Sequence, residues 1–207
     1  MPHQNRVTPF GTLIATPDRG TLTGNRGCLH DSERRIRRLF VVRRWLLCVL
    51  EFKGRRREIL RPGHYTELFF LDEATGLAAG HRPCAECQRG RFRLFRDLWA
   101  EANRPESPGV DRIDAVLHAE RLDGSHEKRT FLAPMAELPT GVMFLLDEVP
   151  WLVLADGIVP WSARGYGPRR PKQAGKVRVL TPASVVRMLA RGYPVDLHPS
   201  ATGAVAS

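Results

Sequence analysis

A cysteine pair set directly behind a proline constrains this chain more than any other feature. It lies in Gly80-His81-Arg82-Pro83-Cys84-Ala85-Glu86-Cys87. A C-x-x-C turn brings two thiolates to one metal ion at the tetrahedral angle. A helix starting just after it, over about 90–103, aims its first amide groups at the sulfurs and favours their negative charge. A redox dithiol usually follows a strand of a βαβ unit. This pair follows a short helix, capped by Asp72, running through Ala79 and ended by Gly80. The chemistry expected of Cys84 and Cys87 is therefore zinc binding rather than disulfide exchange.

Of the two other cysteines, Cys28 and Cys48, neither suggests a disulfide framework, which belongs to small secreted domains. The opening residues, MPHQNRVTPFG, lack the apolar stretch of a signal peptide, and no apolar run reaches the length of a membrane span. A cytoplasmic protein without membrane contact is the expectation. The apolar fraction of 43% and charged fraction of 26% are those of a chain with a packed core. The net charge of +10 favours a polyanionic partner, above all nucleic acid. Only four of the 32 basic residues are Lys, a skew that a GC-rich genome would also produce.

Periodicity divides the chain. Short strands are expected near Thr12–Ala15, over Trp45–Phe52 and over Tyr65–Leu71. The helix near 90–103 carries an apolar stripe of Phe92, Phe95, Leu98, Trp99 and Ala102. The segment Arg104 to Asp111, with two Pro and a Gly, reads as a linker. Beyond it, Ile113–Leu122 is a strand or a short helix. Val142–Asp147, Trp151–Ala155 and Ile158–Trp161 suggest a meander, with Asp156-Gly157 as a hairpin turn. A strand over Lys176–Leu180 precedes a helix that Thr181-Pro182 would start and Gly192 would stop. The expected fold is α+β, with a zinc module over 1–104, a small β-rich domain over 111–198 (a meander or partly closed barrel with a terminal helix), and a loose tail over 199–207.

The stretch LFFLDEATGLAAGHRPCAEC, Leu68 to Cys87, resembles the second half of the N-terminal metal-binding domain of the Ada DNA-repair protein. The shared pattern is a Phe-rich strand, a short Ala-rich helix, then Gly, an aromatic or His, Arg-Pro and the cysteine pair. The resemblance extends more weakly back to the strand at Trp45. It implies a zinc ion held by Cys84 and Cys87, contact with DNA, and a place in the response to DNA damage. The Ada domain has a first cysteine pair, one member of which accepts a methyl group. The matching stretch here, Lys53-Gly54-Arg55-Arg56-Arg57, holds no cysteine, so that activity does not carry over.

Two further ligands would close the zinc site. Cys28 and His30, in Gly27-Cys28-Leu29-His30-Asp31, offer a thiolate and an imidazole on one short loop, with Asp31 placed to orient the ring. His64 and His81 are alternatives. Cys48, inside an apolar strand, reads as a small core residue. Three protein ligands would leave a position for a water, and a zinc-bound water is a nucleophile near neutral pH.

Asp114, His118 and Glu120 lie close together in DAVLHAER and are candidates for acid–base work, with a surface ion-pair group as the plainer reading. Phosphate contact is expected from Arg55, Arg56 and Arg57 in the basic turn, and from Arg43 and Arg44 at the end of an Arg-rich stretch. The loop Trp161-Ser162-Ala163-Arg164-Gly165-Tyr166-Gly167 could stack on unpaired bases, or its aromatics could belong to the core. The expected function is zinc-stabilised binding of nucleic acid, DNA in the first place. The alternatives are a zinc-dependent enzyme acting on nucleic acid and a zinc-bearing protein-interaction module.

Overall fold

The computed structural model describes residues 1–54, 58–104 and 109–203. The fold is α+β, with two six-stranded sheets. The first holds β1 (Gln4–Val7), β2 (Leu13–Ala15), β3 (Leu22–Asn25), β4 (Leu46–Val49), β5 (Leu68–Phe70) and β6 (Arg82–Pro83). Its order is β2-β1-β5-β3-β4-β6, with parallel pairing only where β1 meets β5 and β4 meets β6. Helix α1 (Glu73–Ala78) follows β5, and α2 (Arg89–Asn103) and α3 (Val110–Arg121) follow β6. The second sheet holds β7 (Phe131–Pro134), β8 (Met143–Leu146), β9 (Val149–Leu154), β10 (Gly157–Ser162), β11 (Gly165–Tyr166) and β12 (Lys176–Val179). It is antiparallel throughout, in the order β11-β10-β9-β8-β12-β7. The last helix is α4 (Ala183–Leu189).

The expected meander is β8, β9 and β10. Its second turn is Ala155-Asp156, one residue earlier than expected, and Gly157 already pairs with Leu154. The segment that could be strand or helix is α3. At the start of α4 the expected cap is engaged elsewhere: Thr181 Oγ1 accepts from the amide of Met143 at 2.9 Å and ties the helix to β8.

Helix α1 is the hub. All six of its residues are buried, an unusual state for so short a helix. Asp72 caps it as expected, accepting from the amide of Thr75. One side of it, Ala74 and Ala78, packs on Met143 and Leu152 of the second sheet and on Leu180 just after β12. Leu77 joins the core of Phe95, Trp99, Ile113, Trp151 and Val185. Gly76 faces the first sheet, where a Cβ would stand 2.4 Å from Leu47 Cδ2 and 2.7 Å from Cδ1. Glycine is therefore required by close approach. In Gly76→Ala, overpacking of about 1–3 kcal/mol outweighs a gain of about 0.5–1 kcal/mol in helix propensity. Denaturant unfolding should show a net loss; a variant as stable as the wild type would mean that Leu47 has room to move.

The break expected at 104–111 is described at its ends alone: Arg104 closes α2 in the left-handed conformation at φ 50°, α3 begins at Val110, and 105–108 lie outside the described residues. Both helices supply the same hydrophobic core, Phe95 and Trp99 from one and Ile113 and Leu117 from the other. That core also takes in the inner face of the second sheet. The tail is partly anchored, since Ala201 is buried beside Tyr166.

Candidate metal centre

Strand β4 lies between β3 and β6, and its side chains alternate in direction. Leu47 is buried in the core of the first sheet with Val7, Leu68 and Phe70. Cys48 therefore points to the opposite face. Strand β6 runs parallel to β4, pairing Leu46 with Arg82 and Leu47 with Pro83. The pairing continues one residue further, where Cys84 N donates to Leu47 O at 2.8 Å. The chain then turns. Gln88 N donates to Cys84 O at 3.1 Å, Gln88 Nε2 to Leu47 O at 2.9 Å, and α2 begins. This geometry brings the Sγ atoms of Cys48, Cys84 and Cys87 within 4.8 Å of one another. A tetrahedral zinc ion with Zn–S bonds of about 2.3 Å separates its sulfurs by about 3.8 Å, so the group fits one such ion.

The electrostatics favour a thiolate. The Cys48 thiol donates to Cys84, and the amides of Cys87 and Glu86 add to this, the latter at 3.4 Å; the Cys84 thiol is held down to about 5. Cys48 is pushed up by its bond to that thiolate and by burial, and Cys87 is raised by burial first. Without a metal, the three sulfurs thus carry their first negative charge on Cys84. A bound cation would favour ionisation of all three.

Cys28 and His30, expected as the closing ligands, lie outside this group. The His30 ring bridges two loops, with Nδ1 2.6 Å from Thr66 Oγ1 and Nε2 3.2 Å from Arg61 O. A carbonyl can only accept, so Nε2 carries the proton and Nδ1 accepts from Thr66. No lone pair remains for a metal. Cys28 Sγ donates to His30 O at 3.7 Å. His64 is exposed in a loop, and His81 is buried between Trp45 and Phe70. Cys48, read from the sequence as core, is the third member of the group. The signal that could have found it is parity: a strand whose Leu47 faces the core must turn Cys48 away from it.

The acid–base candidates do not converge. Asp114 is bonded to Arg82 through both oxygens, at 2.7 Å each. Glu120 accepts from the amide and hydroxyl of Ser184. His118 Nδ1 faces Arg121 Nη2 at 2.9 Å; burial and then the neighbouring arginines hold it down to about 4. The loop aromatics are packed, with Trp161 Nε1 donating to Thr75 Oγ1 and Tyr166 Oη to Asp72. Arg55, Arg56 and Arg57 lie outside the described residues. Arg43 and Arg44 are exposed.

Cys84 opens on a groove of about 630 Å³, lined among others by Asn25, Arg44, Arg82, Phe92 and Arg96. Arg44 and Arg96 are exposed, while Arg82 is spent on Asp114 and stacks over Phe92 at 5.2 Å. Cys84 thus carries one edge of the three-thiol group to a groove that also presents Arg44, Glu86 and Arg96, the last paired with Asp97. No helix is long and apolar enough to cross a membrane among the described residues. Compared with known proteins, the chain matches no family model, no curated protein and no solved structure.

Proposed function

We propose that this chain is a zinc-stabilised nucleic-acid-binding protein, with DNA as its partner. The observation that carries the reading is the cluster of Cys48, Cys84 and Cys87 beside a groove that presents Arg44 and Arg96. Soft thiolate donors at this spacing select zinc over hard cations. The ion would join β4 to the turn before α2 and so fix both groove walls. The net charge of +10 supplies a field that attracts phosphate. The resemblance to the Ada metal-binding domain adds a role in the response to DNA damage.

Two measurements test this. Elemental mass spectrometry of the reduced protein should find one zinc per chain. Cys48→Ser, Cys84→Ser and Cys87→Ser should each lose it, while Cys28→Ser and His30→Ala retain it. Fluorescence anisotropy with a DNA oligonucleotide should show affinity falling steeply with salt. Arg44→Ala and Arg96→Ala should each reduce the log–log slope by about one. Absence of zinc sinks the metal reading, and salt-independent binding sinks the nucleic-acid reading.

A second reading has one observation in its favour: the group supplies three protein ligands, and Cys84 faces the groove. A zinc ion on three thiolates can activate a water for attack on a nucleobase. Zinc-dependent turnover of DNA or RNA, abolished by Cys84→Ser, would establish it. Intact substrate after prolonged incubation with the zinc-loaded protein would leave binding as the function.

A further inference from the structure

Trp45, the residue before β4, is clamped between two guanidinium groups. The Cζ atoms of Arg26 and Arg121 stand 3.8 and 3.7 Å from the centroid of its indole ring. Two such groups cannot share one face at these distances, so each covers its own face of the indole. Trp45 and both arginines are buried, with His81 against the ring at 5.0 Å. Lys128, half-buried, donates to Ala78 O.

The one carboxylate that acts on these four cationic or ionisable groups among the described residues is Asp114, which reaches Arg121 through space and is itself bonded to Arg82. Arg26 donates to Gly11 O and to His81 Nε2. Arg121 donates to Gly80 O and Arg43 O. No carboxylate accepts from any of the four among the described residues. Moreover, Arg26 Nη2, Arg121 Nε and His81 Nδ1 are buried without any partner. Since His81 Nε2 accepts from Arg26, Nδ1 carries its proton, and all three orphans are donors. Buried unmatched donors and unpaired charges are costly, and a protein keeps them where something else completes them. Burial, and then the charges of Arg121 and Arg26, hold Lys128 down to about 7; burial, with Arg82 adding to it and Asp114 opposing it, holds Arg121 down to about 9.

Beside this cluster lies a cavity of about 310 Å³, whose lining includes Gly11, Thr12, Trp45, Arg121, Lys128 and His126. Its one lining carboxylate, Glu127, is exposed at the rim. The cavity shares no lining residue with the groove at the cysteines, which takes Arg44 and Leu46 from the stretch where the cavity takes Trp45.

We infer that this cavity is a binding site for a phosphate group, held by Arg121 and Lys128, with Arg26 and His81 supplying positive potential from behind. A dianion matches a cluster of this charge, and the oxygens of phosphate can accept from Lys128 Nζ and from the orphan Arg121 Nε, the two cationic side chains of the cluster that line the cavity. The volume leaves room for a small organic body on the phosphate, beside Phe10 and Leu39 of the cavity lining. The site stands independently of the metal and nucleic-acid readings.

The test uses the full-length protein, with sodium phosphate titrated against sodium chloride at matched ionic strength. Tryptophan fluorescence, to which Trp45 contributes, and calorimetry report binding. Saturable binding is expected, with a melting temperature raised above that in chloride. Lys128→Met should weaken it by about tenfold or more. Arg121→Met should abolish it, and should Arg121→Met fail to fold, Lys128→Met carries the test. Arg93→Ala, on the exposed side of α2, should bind as the wild type does. No saturable signal up to about 10 mM phosphate overturns the proposal. So does equal affinity in Lys128→Met, which would place the phosphate elsewhere. A 5′-phosphorylated and a 5′-hydroxyl dinucleotide then decide the source. Preference for the phosphorylated one identifies a nucleotide-borne phosphate, and binding of inorganic phosphate alone identifies the free ion.

Discussion

Asp114→Ala is expected to destabilise the protein by about 3–5 kcal/mol. The carboxylate makes two 2.7 Å bonds to one guanidinium, and the side chains of Arg82 and Asp114 are 2% and 6% exposed. Removing the acid leaves Arg82 buried, charged and unpaired, since its remaining bond is to Pro83 O. The strand that Arg82 belongs to leads directly into Cys84, so the loss should also loosen the thiol group and lower its metal affinity. Replacing both partners with apolar residues, Arg82→Met with Asp114→Leu, should cost less than Asp114→Ala alone, because no orphaned charge remains. Equilibrium unfolding of the wild type and the two variants measures both differences. A neutral Asp114→Ala would mean that Arg82 finds another acceptor. Full stability with lost turnover would instead restore Asp114 as a chemical group.

That same residue shows why the acid–base reading of DAVLHAER does not carry through. Helical spacing puts Asp114 and His118 on one face of α3, which is a local property and was legible. The partner of Asp114, Arg82 on β6, comes from the tertiary fold; the partner of His118, Arg121, stands three residues on in the same helix, and the tertiary fold supplies the Arg43 carbonyl that holds it. The cysteines divide in the same way. Cys84 and Cys87 share a turn, and their spacing alone brings them together. Cys48 joins them only because β4 and β6 lie side by side in parallel, a pairing between segments far apart in the chain. An apolar strand disguised it as core.

Local signals with one reading were the most dependable. Asp72 at the start of α1 and Gly80 after it act through bonds within a few residues, and both hold their expected places. The C-x-H loop had two readings. Its ring is claimed by Thr66, whose complete burial nothing in the sequence announces. The Pro and Gly residues of 104–111 suggested a break, but such a composition does not reveal whether the helices on either side share a core. Here they do, through Phe95, Trp99, Ile113 and Leu117. The cation cluster around Trp45 was illegible for a related reason: Arg26, His81, Arg121 and Lys128 are scattered through the sequence and meet only in the folded chain.

Asp72→Ala should destabilise by a comparable amount, about 3–5 kcal/mol, with a pH dependence opposite to that of an ordinary surface ion pair. Asp72 is fully buried and accepts from the amide and hydroxyl of Thr75, the hydroxyl of Tyr166 and the amide of His198. It thereby fastens α1 to β11 and to the C-terminal segment, and Glu73 does the same through Arg91, Tyr193 and the amide of Asp196. Burial raises the Asp72 carboxyl above its ordinary value, and the four donors only partly oppose it. A folded-state value above the unfolded one means that the native protein binds the proton more tightly. The stability that this carboxyl contributes is therefore full below its unfolded value and declines as pH rises through its folded value. The alanine variant lacks that dependence. The difference between wild type and Asp72→Ala should thus be largest in acid and shrink toward alkali, measured by denaturant unfolding from about pH 4 to about pH 8. Other titrating groups cancel in the difference. A penalty that grows with pH would show that the four hydrogen bonds outweigh desolvation, and that the ionised carboxylate is the form the fold prefers.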